Sequence, residues 1–312
     1  MDDLFNPALL LFLLGISIGL LFKLTLLENI SKYLGYYLLL SLGIKGGLSI
    51  QENGFMNEVI TTLSLGIIFA ILIPLVSYFY LKKLLNTDDA AALSATYGSV
   101  SAVTFVTAIS YLSTTNQVFD NYMSAVLVVM EFPAIFMALY LVTQNNQNKN
   151  KKLQTIKTAF LEVPNIILIT SLMVGYFANK NLVSNLDFLI LDIFNYVLYL
   201  FLFVMGTRVA SRIGELKGKG KKLLTFAVIT PLTGSSIALL ASLYFNLSVG
   251  NATLMMVLTA SASYIAVPAV VKDAIPNANP AIYLGLSLGV TFPFNIIIGI
   301  PFYNEFAKFL IG

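Results

Sequence analysis

Ala95-Thr96-Tyr97-Gly98-Ser99-Val100-Ser101 and Leu258-Thr259-Ala260-Ser261-Ala262-Ser263-Tyr264 are two hydroxyl-rich stretches, each set inside a long apolar run. Further polar or helix-weakening residues surround them: Asp88, Asp89, Thr104 and Thr107 in the first region, Asn251 and Pro268 in the second. Gly and Pro weaken the helical hydrogen-bond ladder, so both regions read as interrupted helices. Backbone groups freed by such a break survive in hydrocarbon only where they are buried in protein or line a wet cavity. The stretches lie about 160 residues apart, a separation that suggests an internal repeat. Two more pairs recur in the same order: Gly43-Ile-Lys45 with Gly206-Thr-Arg208, and Glu131-Phe-Pro133 with Thr291-Phe-Pro293. Chance likeness between two apolar, glycine-rich stretches is the competing explanation. Agreement of order with spacing favours a repeat.

The flanking sequence gives the repeat its setting. Of 312 residues, 58% are hydrophobic and 11% charged, and the mean hydropathy is +0.85, values that place the chain in a bilayer. A spanning helix needs roughly 20 apolar residues. About ten such runs occur, near 6–23, 30–50, 58–82, 88–112, 121–143, 157–178, 186–209, 222–246, 250–274 and 281–309. Five spans per half is an odd number, so the second copy enters from the opposite face. The expected fold is an all-α membrane protein, a 5+5 inverted repeat with two broken crossing helices, spans four and nine. Its parts are a first repeat at 1–143, a polar cytoplasmic linker at 144–156 and a second repeat at 157–312. The first run, behind an acidic start and without a small-residue cleavage site, reads as a retained span and not a signal peptide.

Charge placement sets the orientation, because cytoplasmic loops collect lysine and arginine. Of the 18 such residues only Lys45, Lys180 and Lys308 fall on the other side. That puts both termini outside a cell inner membrane and Gly214–Lys222 in the cytoplasm. Four lysines in that loop fit positive-inside topology or anionic lipid; a docking site for a cytoplasmic regulator is the sharper alternative. The net charge is only +3, with no basic domain to neutralise phosphates, so nucleic acid is not an expected partner. The chain has no Cys and no His. Thiolate chemistry, disulfides, haem ligation and the imidazole general base are excluded, and no carboxylate pair at catalytic spacing shares a span. An enzyme is not expected, nor a cofactor.

Candidate site residues follow from the breaks. Two half-helix N-termini meeting near the midplane present unpaired N–H groups and partial positive charge, a pocket for a small anion. Gly98, Ser99, Ser101, Thr104, Ser261, Ser263 and Tyr264 are the substrate-binding candidates. Hydroxyl and carbonyl oxygens there also suit Na+, a hard cation. The ion-binding candidates are Glu131, Ser101 and Ser263. Small residues of this kind also serve close helix packing. Glu131 is acidic deep within a span, which marks a functional candidate; ligating a cation, carrying a proton and pairing with Lys45 or Arg208 all remain open. Asp192 and Asn295 are weaker cases, since a short polar side chain can satisfy itself on a neighbouring helix.

Several motifs, in order along nearly the whole chain, resemble the cyanobacterial sodium-dependent bicarbonate transporters and their bacterial relatives. Ser261 to Lys272 followed by Ile275-Pro-Asn-Ala-Asn-Pro280 is similar to that family's serine-rich segment and its Ile-Pro-Ser-Ala-Asn-Pro signature. Ser211-Arg-Ile-Gly-Glu-Leu216, Gly98 to Thr104, and Glu131-Phe-Pro-Ala134, where the family has Asp-Ile-Pro-Ala, carry the rest. The resemblance implies Na+-coupled bicarbonate uptake by a core domain moving against a gate domain, a homotrimer, and a PII-like partner on the cytoplasmic face. Departures fall on the site. Ala102 and Val103 stand where glycine and serine are expected, and Ala262 and Tyr264 replace a serine and an aspartate. The expected function is secondary transport of a small anion, led by bicarbonate with Na+ as coupling ion. The alternatives are another anion, another coupling ion, or, motivated by Tyr264, a non-transporting receptor or scaffold for a cytoplasmic regulator.

Overall fold

The computed structural model describes residues 7–23, 28–54, 56–143, 163–178, 188, 193–214 and 220–312. The predicted linker, Asp192 and the lysines at 217 and 219 lie outside them. Among the described residues there is no strand. The helices are α1 (Pro7–Phe22), α2 (Glu28–Asn53), α3 (Asn57–Leu81), α4 (Thr87–Gly98), α5 (Ala102–Thr114), α6 (Met123–Thr143), α7 (Val163–Phe177), α8 (Phe194–Ile213), α9 (Lys221–Tyr244), α10 (Val249–Ala260), α11 (Ala266–Ala274) and α12 (Pro280–Ile311). By length and apolar composition α3, α8, α9, α12 and the combined stretch Thr87–Thr114 are each able to cross a bilayer, while α1, α7 and α10 are apolar but shorter.

Local chemistry sets the ends. Asn86 caps α4 by accepting from Asp89 N at 2.8 Å, and Ser248 caps α10 by accepting from Asn251 N at 3.3 Å. Such a side chain takes up one of the N–H groups that a helix leaves unpaired at its start. Asn279 caps α12 ahead of Pro280, whose missing N–H costs nothing in the first turn. Pro74, Pro133 and Pro231 sit inside α3, α6 and α9 without ending them. Proline does not make the second break either. Chain regularity is lost at Ser261–Ile265, and Pro268 lies in the first turn of α11, where no intrahelical bond is forfeited.

The halves are interleaved: α1 packs along α8, and α2 along α7. Each contact runs through a small residue repeated after four positions: Gly15 and Gly19, Gly43 and Gly47, Ser171 and Gly175, Gly206 and Ala210. A β-carbon on Gly206 would strike Phe12 O and stand 2.9 Å from Gly15 Cα; one on Gly175 would strike Ile44 O. Main chain touches main chain, the close approach that small residues permit within a membrane. Lys45 and Arg208 each follow their glycine by two residues. Elsewhere α3 packs on α4 and α6, and α9 and α12 pack on α10. The core lies around the short helices: every residue from Asp89 to Gly98 and from Gly250 to Ala260 is buried.

Candidate functional site

Extended residues at the two breaks bond directly to one another. Ser99 and Ser101 have extended backbones between α4 and α5, and Ser261 has one after α10. Ser101 N donates to Ser261 Oγ at 2.9 Å, and Ser263 N donates to Thr96 O at 2.8 Å. The four serines are each no more than 4% exposed. With helix boundaries as the guide, Ser99 corresponds to Ser261 and Ser101 to Ser263. The heptapeptides as first set side by side are one residue out of register.

Each serine side chain reaches the first turn of the helix that follows, Ser101 as the N-cap of α5 and Ser263 from two residues before Ile265, the N-cap position of α11. Ser101 Oγ accepts from Thr104 N at 3.2 Å and from Thr104 Oγ1 at 2.9 Å; Ser263 Oγ accepts from Val267 N at 3.2 Å. Ser99 Oγ instead donates to Glu131 Oε2 at 3.0 Å, bringing the buried carboxylate of α6 to the edge of the first break. The cations weighed against Glu131 are engaged elsewhere: Lys45 Nζ lies 4.3 Å from the Phe194 ring centroid, and Arg208 Nη1 donates to Ser31 Oγ at 3.0 Å. Gly98 has a packing role, because a β-carbon there would stand 2.5 Å from Pro74. Tyr264 stacks edge-on against Phe292 with centroids 5.2 Å apart, and its hydroxyl is buried without a hydrogen bond. The structure therefore brings Ser99, Ser101, Thr104, Ser261, Ser263, Tyr264 and Glu131 to one region.

Other polar residues of these helices lie apart from the breaks. Thr107 and Thr259 return their hydroxyls to carbonyls of their own helices. Asp89 Oδ1 accepts from Asn279 N at 2.7 Å, tying α4 to the start of α12; Asn251 Oδ1 accepts from Asp120 N at 2.9 Å, tying α10 to the approach to α6. These latches are reciprocal. The second is extended by Asn251 Nδ2, which donates to Asp120 Oδ2 at 2.7 Å and Glu58 Oε1 at 3.2 Å.

Four supporting contacts carry little sequence signature. Asn295 Nδ2 donates to Ala260 O at 2.8 Å, satisfying a carbonyl freed where α10 ends, and Tyr303 OH donates to Asn295 Oδ1 at 2.9 Å. Tyr97 OH meets Thr291 Oγ1 at 2.5 Å, and Thr291 Oγ1 donates on to Ala227 O. Two π-helical turns in α12, Ser287–Thr291 and Asn295–Gly299, bring Thr291 and Asn295 into the core. Turns of this kind often mark functional positions within longer helices. Among the described residues no group of three or more His, Cys, Asp or Glu is placed to hold a metal. The oxygens available to a cation at the breaks are those of Glu131, the serines and nearby carbonyls.

Helices long and apolar enough to cross a bilayer thus surround two buried helix breaks that bond to one another. Residues 7–308 match the family model described as the Na+-dependent bicarbonate transporter superfamily, and the chain belongs to that superfamily. No curated protein matches the chain.

Proposed function

We propose that the protein is a secondary transporter that couples inward movement of bicarbonate to Na+ by alternating access. The observation that carries this reading is the pair of bonds between the breaks, Ser101 N to Ser261 Oγ and Ser263 N to Thr96 O. They bring two helix N-termini, those of α5 and α11, to one buried place, the arrangement by which discontinuous helices hold small anions and their coupling ions. In this reading the chain is a 5+5 inverted repeat. The reciprocal packing of α1 with α8 and α2 with α7, and the reciprocal latches from Asp89 and Asn251, support it. Ser99, Ser101, Thr104, Ser261 and Ser263 hold the anion and ion, and Glu131 ligates or balances the cation. The core formed by α3–α6 and α9–α12 moves against α1, α2, α7 and α8. The protein sits in the inner membrane with both termini outside, as a homotrimer, and offers its basic cytoplasmic face to a PII-like regulator.

Radiolabelled bicarbonate uptake into proteoliposomes, with and without an inward Na+ gradient, tests the proposal. Gradient-driven uptake that Glu131→Ala abolishes is the expected result. Folded protein that takes up no bicarbonate under either condition overturns it.

A further inference from the structure

Lys45 is a charged group that the proposed site leaves unused. It lies within α2, is half-buried, and holds its ammonium over the Phe194 ring at 4.3 Å from the centroid; among the described residues it makes no hydrogen bond and no ion pair. A ring face offsets only part of the cost of a charge at membrane depth and takes up none of the three N–H donors of an ammonium as an oxygen would. Methionine would fill the same space without that cost. The place of Lys45 is reciprocal to that of Arg208. Lys45 meets Phe194, the first residue of α8, and Arg208 meets Ser31 in the first turn of α2. Fourteen residues separate Ser31 from Lys45 and Phe194 from Arg208, so the two cations stand about 20 Å apart at opposite ends of one helix pair. Helix α2 also packs on α5 and α6, the core helices that begin at the first break and carry Glu131. A β-carbon on Gly46 would stand 2.9 Å from Ser124 Cβ, which puts this part of α2 level with the first turn of α6. Glu131 lies two helical turns further along α6, about 10 Å away along the axis. By the positive-inside reading the Lys45 end faces outside, where only Lys180 and Lys308 carry the same sign.

We propose that Lys45 captures the anion at the outer entrance: its ammonium, held over Phe194, donates to an oxygen of a small oxyanion passing between gate and core, before the anion reaches the breaks. This rests on the transporter reading and adds to it a specificity-determining residue outside the serine site. Lysine suits brief capture, because its ammonium is a compact, strongly hydrated point charge on a flexible stem. A positive charge in a cleft with low-dielectric walls raises the local concentration of anions and speeds their entry.

The experiment measures bicarbonate uptake by the full-length chain in proteoliposomes under an inward Na+ gradient, at low and high ionic strength. Lys45→Gln is expected to lose on the order of tenfold in kcat/KM, mainly through KM and less as salt rises, while Lys45→Arg stays near wild type. The chain has no Cys, so Lys45→Cys supplies a single thiol. Aminoethyl methanethiosulfonate forms a disulfide with that thiolate, expels methanesulfinate and returns an ammonium to the position. It is expected to restore uptake, whereas the uncharged ethyl reagent is not, a comparison within one folded protein that keeps the test valid if the glutamine variant folds poorly. In intact cells the impermeant sulfonatoethyl reagent is expected to reach the thiol from outside, and to do so more slowly with bicarbonate present. Wild-type kcat/KM in Lys45→Gln overturns the proposal, as does equal rescue by the two reagents or a thiol sealed from outside. If folded wild-type protein takes up no bicarbonate, transport is refuted; labelling that bicarbonate slows then leaves Lys45 standing as an anion site, and labelling that it does not slow refutes both.

Discussion

Replacing Gly206 with alanine tests the contact that joins the two halves. A β-carbon at Gly206 would stand 2.8 Å from Ile16 N and 2.9 Å from Gly15 Cα, and nearer still to Phe12 O. All three are main-chain atoms, so no side-chain rotation relieves the overlap. Unstrained carbon contacts lie at about 3.5 Å, so α1 and α8 must separate by about 1 Å along their shared face. Overpacking of this kind costs about 3 kcal/mol at the upper end of its usual range, and the better helix propensity of alanine returns about 1. The net loss is about 2 kcal/mol, or a fall of roughly 5 °C in Tm by the scaling seen in large soluble domains. Gly214→Ala is the matched control. It lies at the C-cap of the same helix with helical backbone angles, φ −60° and ψ −32°, and has no described atom within 4 Å. Heating both variants in detergent and measuring the monodisperse fraction by size exclusion reads the difference. If Gly206→Ala survives heating as well as Gly214→Ala, the backbone contact between α1 and α8 is wrong.

Asp89→Ala removes the acceptor for Asn279 N and for Asn86 Nδ2; a loss of about 2 kcal/mol is expected, read as a lower melting temperature. Ser101→Ala removes the cap of α5 and Ser263→Ala removes the acceptor for Val267 N in the first turn of α11, each at a cost of about 1 kcal/mol, and both are expected to abolish uptake while the protein still elutes as a folded species; undiminished uptake in both would remove these hydroxyls from the site. Glu131→Gln keeps an acceptor for Ser99 but removes the charge, so uptake is expected to lose its response to a Na+ gradient; a response equal to wild type would exclude Glu131 as the cation's partner.

Much of this was legible in the chain because it rests on local rules. The small residues around Gly43-Ile-Lys45 and Gly206-Thr-Arg208 report close packing without any knowledge of the partner. Serine clusters located both breaks. Their register was one residue out, because the ends of α4 and α10 are fixed by the caps Asn86 and Ser248 and not by the resemblance of the heptapeptides. Pro268 misled for a related reason: proline is at home in the first turn of a helix. Contacts that depend on distant parts of the chain were not legible. Asp89 finds Asn279 and Asn251 finds Asp120 and Glu58, partners that lie far along the chain and that the polar character of these spans does not name. Asn295, a weak candidate, satisfies Ala260 O on a neighbouring helix, a partner its own surroundings do not name.

The interleaving of the halves bears on how the protein is made. Ser101 N, Thr96 O and Asp120 N belong to the first half, yet their partners Ser261, Ser263 and Asn251 are translated far later. At roughly 5–20 residues per second, a ribosome takes on the order of ten to thirty seconds to cover that interval. During it α4 and α5 already sit in the membrane with the polar ends of their break unmatched, and α1 and α2 have no companions for their glycine faces. The nascent chain therefore needs water, lipid headgroups or the insertion machinery to shelter that gap, and a ribosome that stalls between the halves leaves a product with no finished core to fall back on.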